Sequence, residues 1–265
     1  MINFISLALL AGQDPKIADK LTFFSANAVA ILFIISFFVI GYLLDRHFWR
    51  KITIQVISLL GVLIALCIIA TNVIGYSKVF GFKIQLGNFL LFLCGMLLGP
   101  LAGPLAGLLS DLTGLLTSGG VPHFGFTLIK VTYGFLGALV FLPKQHKKLY
   151  FILSIAAFML TSVALHLLVI TPLSFASYGG ATGTKQGLIV AKMIQRAILV
   201  PIEWVSYSAL VITCFEISWI VLRDNPKIEH QLWCTRKGAP KFLSDKWEKN
   251  KVENVVKVEN RQKAS

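Results

Sequence analysis

Long apolar runs constrain this chain more than any other feature. About 20 residues at 1.5 Å rise cross the hydrocarbon of a bilayer as a helix. The first clear run is Phe23 to Leu44. Others follow at Ile54 to Tyr76, Asn88 to Leu98, Leu101 to Thr117, Phe124 to Leu142, Tyr150 to Ile170, and from about Leu188 to Leu222. A leading helix plus six more is the reading. The opening MINFISLALLAG is shorter and lacks a basic n-region, so it fits a cleaved signal peptide poorly.

Composition agrees. Of 265 residues, 56% are hydrophobic and 14% charged, with mean hydropathy +0.76. Soluble domains run near a quarter charged. The expected fold is an all-α membrane protein: a six-helix transmembrane bundle with one extra N-terminal transmembrane helix and a basic cytoplasmic tail. The expected divisions are residues 1–51, 52–222 and 223–265. The tail from Arg223 to Ser265 is polar and basic, without a spanning run, and reads as a solvated segment.

The two short runs abut at Gly99-Pro100, which reads as a tight turn between helices. The last run is too long for one upright span. It is expected to tilt, kink at Pro201 or project past the membrane.

Net charge is +13. Cytoplasmic loops of membrane proteins collect Lys and Arg. Arg46, Arg50 and Lys51, then Lys144, Lys147 and Lys148, then Arg223 with the tail, all fall on one side if every span alternates. That predicts a multi-pass protein of the cell membrane with a cytoplasmic C-terminus. Residues 77–87, 118–125 and 171–186 are then outside, and their composition suits loops that close over a solute. No nucleic-acid module accompanies the basic charge, so a nucleic-acid partner is not expected. Cys67, Cys94, Cys214 and Cys234 form no C-x-x-C, and no metal site or disulfide framework is implied.

The stretch GMLLGPLAGPLAGLLSDLTG holds the polar chemistry. Gly99, Gly103, Gly107 and Asp111 recur every fourth residue, a slowly drifting stripe on one helix. Small residues at that spacing admit a second helix closely. Asp111 ends the stripe and must face the bundle interior, because a charge facing lipid costs several kcal/mol. Lys130, Lys192, Arg196 and His166 also fall in the outer half, on three other helices. Intramembrane ionisable groups mark function by default. Their positive excess suits an anionic small molecule, with Arg196 able to grip a carboxylate bidentately and lysines acting as point charges. Structural readings stand beside this. Asp111 pairs with Arg196 or Lys192 as interhelical glue, the lysines snorkel to headgroups, and His166 is a core histidine. Glu203 reads as structural. Phe126 is at helical spacing that packing alone explains, although pocket walls are also aromatic.

No enzyme constellation stands in the sequence: no H-E-x-x-H, no G-x-x-x-x-G-K-[ST] and no cofactor motif. The chain is read as no enzyme and as needing no cofactor. ATP-driven transport would require hydrolysis by another subunit.

The run KIQLGNFLLFLCGMLLGPLAGPLAGLLSDLTGLLTSGGVPHFGFTLIKVTYGFLGAL, with its GMLLGPLAGPLAGLLSDLTG and GFTL, then a basic patch before Pro201-Ile202-Glu203, resembles the substrate-binding S components of energy-coupling factor (ECF) vitamin transporters. The likeness covers roughly Ile54 to Leu222 and is closest to the folate type. It implies a six-helix bundle binding a vitamin from outside, partnered by a transmembrane coupling subunit and two ATPases. It implies toppling of the loaded bundle toward the cytoplasm. It implies that Gly61 and Ala65 stand for the family's A-x-x-x-A docking motif. On this reading Asp111, Lys130, Lys192, Arg196, His166 and Phe126 meet substrate, and loops around Phe82, His123 and Tyr178 cover it. Two alternatives remain: a structural or assembly membrane protein, and an S component for another vitamin such as riboflavin.

Overall fold

The computed structural model describes residues 15–46, 48, 52–70, 78–79, 82–83, 87–118, 123–143, 148–170, 184–223 and 231–237. In chain order these form α1 (Pro15–Leu44), α2 (Ile54–Ile69), β1 (Lys78–Val79), β2 (Phe82–Lys83), α3 (Gly87–Leu98), α4 (Ala102–Ser118), α5 (Phe124–Leu139), α6 (Lys148–Leu165, continued by a π-helical turn His166–Ile170), α7 (Thr184–Arg223) and α8 (Trp233–Lys237). The strands are a two-residue antiparallel ribbon pairing Lys78 with Lys83 and Val79 with Phe82. The rest is helical, as the apolar runs require.

Among the described residues, three helical stretches are long and apolar enough to cross a membrane: Phe23–Leu44, Lys148–Leu168 and Ala197–Leu222. The helices α2 to α5 are apolar but shorter. In the second run the α-helix covers Ile54–Ile69, and residues 71–76 of the expected span lie outside the described residues. The last run is one helix of 40 residues, continuous through Pro201. At 1.5 Å per residue it is about 60 Å long, twice the hydrocarbon thickness. It therefore tilts or projects rather than spanning upright.

Burial separates the central helices from the peripheral ones. The helices α3 and α5 are buried on most sides, with Leu91, Phe92, Met96, Val131, Tyr133 and Ala138 fully enclosed. In contrast α2 and α7 turn Ile54, Ile57, Val62, Ile198, Ile202 and Val205 outward. Apolar side chains facing out from an apolar bundle are what lipid contact requires.

The glycine stripe does what its spacing predicts. Gly103 of α4 meets Gly134 of α5 backbone to backbone, so that a Cβ on either would lie well inside van der Waals contact with the other's carbonyl. Gly95 of α3 closes on the same Gly134 carbonyl, and Gly107 lies against the backbone of Lys130. Between α3 and α4 the chain turns at Gly99, whose φ of +107° is one that side-chain-bearing residues rarely adopt.

The leading helix belongs to the packed structure. Ala26, Asn27, Ala30, Ile34 and Gly41 form a buried stripe, and Phe37 stacks on Phe135 of α5 at 4.8 Å between centroids. Gly41 lets α1 approach the Pro100 carbonyl in the α3–α4 turn.

The segment after α7 differs from the solvated tail expected. Leu232, Trp233 and Cys234 are buried. The Trp233 indole N–H donates to the Ala138 carbonyl at 2.9 Å, and its ring covers Gly99. Arg236 donates twice to Asp45 at the end of α1, at 2.8 and 2.7 Å. Burial pushes the Cys234 thiol up to about 12, which keeps it a neutral thiol. Composition averaged over a long basic tail hides this one amphipathic turn.

The helix contact yields a paired test. Gly134→Ala forces α3 and α4 away from α5 and is expected to cost about 1–3 kcal/mol, the usual range for overpacking. Gly61→Ala meets nothing within 4 Å and is expected to leave stability unchanged or slightly raised. Thermal unfolding of the two variants in detergent checks the contrast. Equal melting temperatures would remove Gly134 from the role given to it.

Candidate functional site

Antiparallel packing of α4 on α5 sets the site. Gly103 lies opposite Gly134 and Gly107 opposite Lys130. Continuing that register by one turn sets Asp111 opposite the first turns of α5. The Lys130 Nζ lies 3.0 Å from Asp111 Oδ1. The Thr127 hydroxyl donates to Asp111 Oδ2 at 2.5 Å. Asp111 and Thr127 are buried, and the Lys130 side chain keeps a small opening of 16%. Both carboxylate oxygens are thus engaged by α5. An ammonium carries three donors, so one bond to Asp111 does not exhaust Lys130 as a partner for an incoming anion.

His123 stands at the start of α5. Its Nδ1 accepts from the Gly125 N–H at 3.1 Å, and its carbonyl accepts from the Phe126 N–H at 3.0 Å. It is buried against Phe23 of α1 and Phe126, with ring centroids 5.5 and 5.4 Å away. Phe126 is itself about one-third exposed at 37%. Accepting through Nδ1 requires a neutral ring with its proton on Nε2. Burial holds the His123 pKa below its ordinary value, while its own backbone bond and the Asp111 carboxylate act weakly in the other direction.

His166 is buried in the π-helical turn after α6, edge-on to the Tyr133 ring at 6.4 Å. Glu203 is enclosed on α7, in line with Tyr207, Val211, Phe215 and Trp219 at every fourth position.

Of the residues singled out in the sequence, Asp111 and Lys130 meet directly. His123 and Phe126 touch each other at the mouth of α5. His166 lies edge-on to Tyr133 of α5. Gly61 and Ala65 share the outward face of α2. Tyr178 and the side chains of Phe82, Lys192 and Arg196 lie outside the described residues.

Two residues of the site escaped the sequence reading. Thr127 stands inside GFTL, and the antiparallel register sets it opposite Asp111. Asn27 accepts from the Phe124 N–H through Oδ1 at 2.8 Å. An amide in an otherwise apolar span was the available signal, since such groups seek a partner inside a bundle.

A family model for the ECF transporter, substrate-specific component, matches residues 55–213. Among solved structures, the crystal structure of FolT bound with folic acid is similar in fold, with a TM-score of 0.48 and 24% identity. The match covers 60% of this chain and 95% of that one. No curated protein matches.

The cap at His123 carries a pH dependence. Its folded pKa is lowered, so the folded state favours the neutral ring. Its contribution is whole above the unfolded value near 6.5 and is lost as pH falls from there through the folded value. Thermal stability of the wild type should therefore drop between pH 7 and pH 5 more than that of His123→Asn, which caps without titrating. Parallel pH profiles for the two proteins would be the contrary result.

Proposed function

The chain belongs to the substrate-specific components of ECF transporters, and from that membership we propose that it captures a vitamin from outside the cell for ATP-driven uptake, with folate as the first candidate. Such a component binds substrate and is no enzyme. The observation that carries the proposal is the buried Asp111–Lys130 pair with Thr127. It lies toward the end of the bundle away from α8, which seats on Gly99 and Ala138. In a water-poor bundle a charged group aimed at a solute acts more strongly than at a surface.

In this reading Lys130 meets the anionic part of the ligand, and Asp111 orients Lys130 or accepts from the ligand's N–H groups. Lys192 and Arg196, an i, i+4 pair on α7, add positive charge. His166 and Phe126 serve as walls, and the segments around Phe82, His123 and Tyr178 as cover. Folate is favoured over riboflavin by the GFTL likeness and by its carboxylates, which need basic partners.

The partners in this reading are a transmembrane coupling subunit and two ATPases, since the sequence holds no phosphate-cradling loop. Gly61 and Ala65 would dock the coupling subunit. Support comes from the outward face of α2, where a Cβ at Gly61 would meet open space. The loop charges favour a cytoplasmic C-terminus.

Interhelical glue is the second reading, favoured by the fact that Asp111 already holds a basic partner. Titration of the purified wild type with folic acid decides between them. The transport reading expects stoichiometric binding, weakened at least tenfold in Lys130→Ala while the protein still folds. The glue reading expects a large loss of melting temperature in Lys130→Ala and no binding of any vitamin. Independently, Gly61→Leu with Ala65→Leu should abolish copurification of the coupling subunit while folic acid binding persists. Retained copurification would move docking to another face.

A further inference from the structure

The helix that precedes the family region reaches into the site. Asn27 sits on the buried stripe of α1 and bonds in two directions. Its Nδ2 donates to the Phe23 carbonyl one turn back at 2.9 Å, and its Oδ1 accepts from the Phe124 N–H of α5 at 2.8 Å. These contacts fix the amide's orientation, because the reverse would set NH2 against N–H and oxygen against carbonyl. The first N–H groups of a helix have no partner within it. In α5, Phe124 is met by Asn27 and Gly125 by His123. Phe23, whose carbonyl anchors Asn27, also lies edge-on to His123. The next residues along α5 that carry polar side chains are Thr127 and Lys130, which hold Asp111.

We propose that Asn27 is a positioning residue for the binding site: an amide supplied by a helix outside the family region caps α5 and fixes the turn that delivers Thr127 and Lys130 to Asp111. The role rests on the reading of that cluster as the ligand site. It makes α1 part of the binding apparatus rather than an appended anchor. An alanine at this position leaves the Phe124 N–H without an acceptor in surroundings poor in water, where the helix start cannot recruit a substitute cheaply. The loss of a side-chain cap typically amounts to about tenfold in an equilibrium, and this sets the size of the expected effect.

The test compares wild type, Asn27→Ala, Asn27→Asp and Lys130→Ala, each as the full chain purified in detergent. Amide hydrogen exchange over residues 123–128 without ligand reads the cap, and titration with folic acid reads the site. The expected result is about tenfold faster exchange and about tenfold weaker folic acid binding in Asn27→Ala, both partly restored in Asn27→Asp, which keeps an acceptor oxygen for the Phe124 N–H but loses the donation to the Phe23 carbonyl. Unchanged exchange in Asn27→Ala overturns the proposal. So does faster exchange with unaltered affinity, because the cap would then be structural only. Failure of Asn27→Ala to fold while Asn27→Asp folds and binds supports the acceptor's role. Wild-type affinity in Lys130→Ala, or no binding by the wild type, defeats the site assignment itself. In that case the exchange comparison alone still decides whether Asn27 fixes the start of α5.

Discussion

The backbone contact between Gly103 and Gly134 is the constraint on which the rest of the structure depends. Two helices can interlock at many registers when their surfaces are uniformly apolar, since lipid competes for the same side chains. A carbonyl seated where a Cβ would be is far more selective. Once Gly103 meets Gly134, antiparallel packing sets Gly107 against Lys130 and Asp111 against Thr127. The charged pair is therefore positioned by glycines up to two turns away. The electrostatics then reinforces the register, because any slip would strand a carboxylate and an ammonium in surroundings of low polarity.

Polar side chains also hold the two ends of α5. Asn27 and His123 meet the N-terminal donors of α5. At the opposite end Trp233 meets the Ala138 carbonyl, one of the orphan acceptors left where α5 stops. Arg236 ties Asp45 at the end of α1. Helix α5 is thus held at its start by α1 and at its finish by α8. Both elements lie outside residues 55–213, so the central helix takes one partner at each end from segments flanking the family region.

How much of this was legible in the sequence follows from the range of each signal. Apolar runs and a four-residue glycine period are local patterns, and they located the helices, the α3–α4 turn and the inward face of Asp111. Lys130 was legible as an ionisable group within an apolar run. The pairing of Asp111 with Lys130, rather than with Lys192 or Arg196, depends on the register between helices, which no single-helix pattern contains. Asn27 stands out as an amide in an apolar span, but its partner becomes legible only when its carbonyl oxygen faces another helix's first N–H. The buried turn Leu232–Arg236 was masked by its neighbours: one tryptophan and one arginine in a basic tail read as solvated until Gly99 offers a flat seat and Asp45 a fork for the guanidinium. The length of α7 was visible, but its continuity through Pro201 was not, since proline bends some helices and is absorbed by others.

An ion pair buried in an apolar bundle is a poor source of stability, because desolvating both ions offsets most of their attraction. A chain that needed only adhesion between α4 and α5 already has it in the glycine contact, which involves no desolvation of charge. In the proposed transport reading the pair is a group held in readiness. Its geometry is fixed by packing, its lysine retains a small opening to the exterior, and its carboxylate is steadied by Thr127. On that reading binding would require little rearrangement, since the cost of burying the charges is met on folding rather than on each encounter with a solute. On that reading glycine supplies cohesion and charge supplies recognition, which is how a bundle this apolar would select a polar ligand.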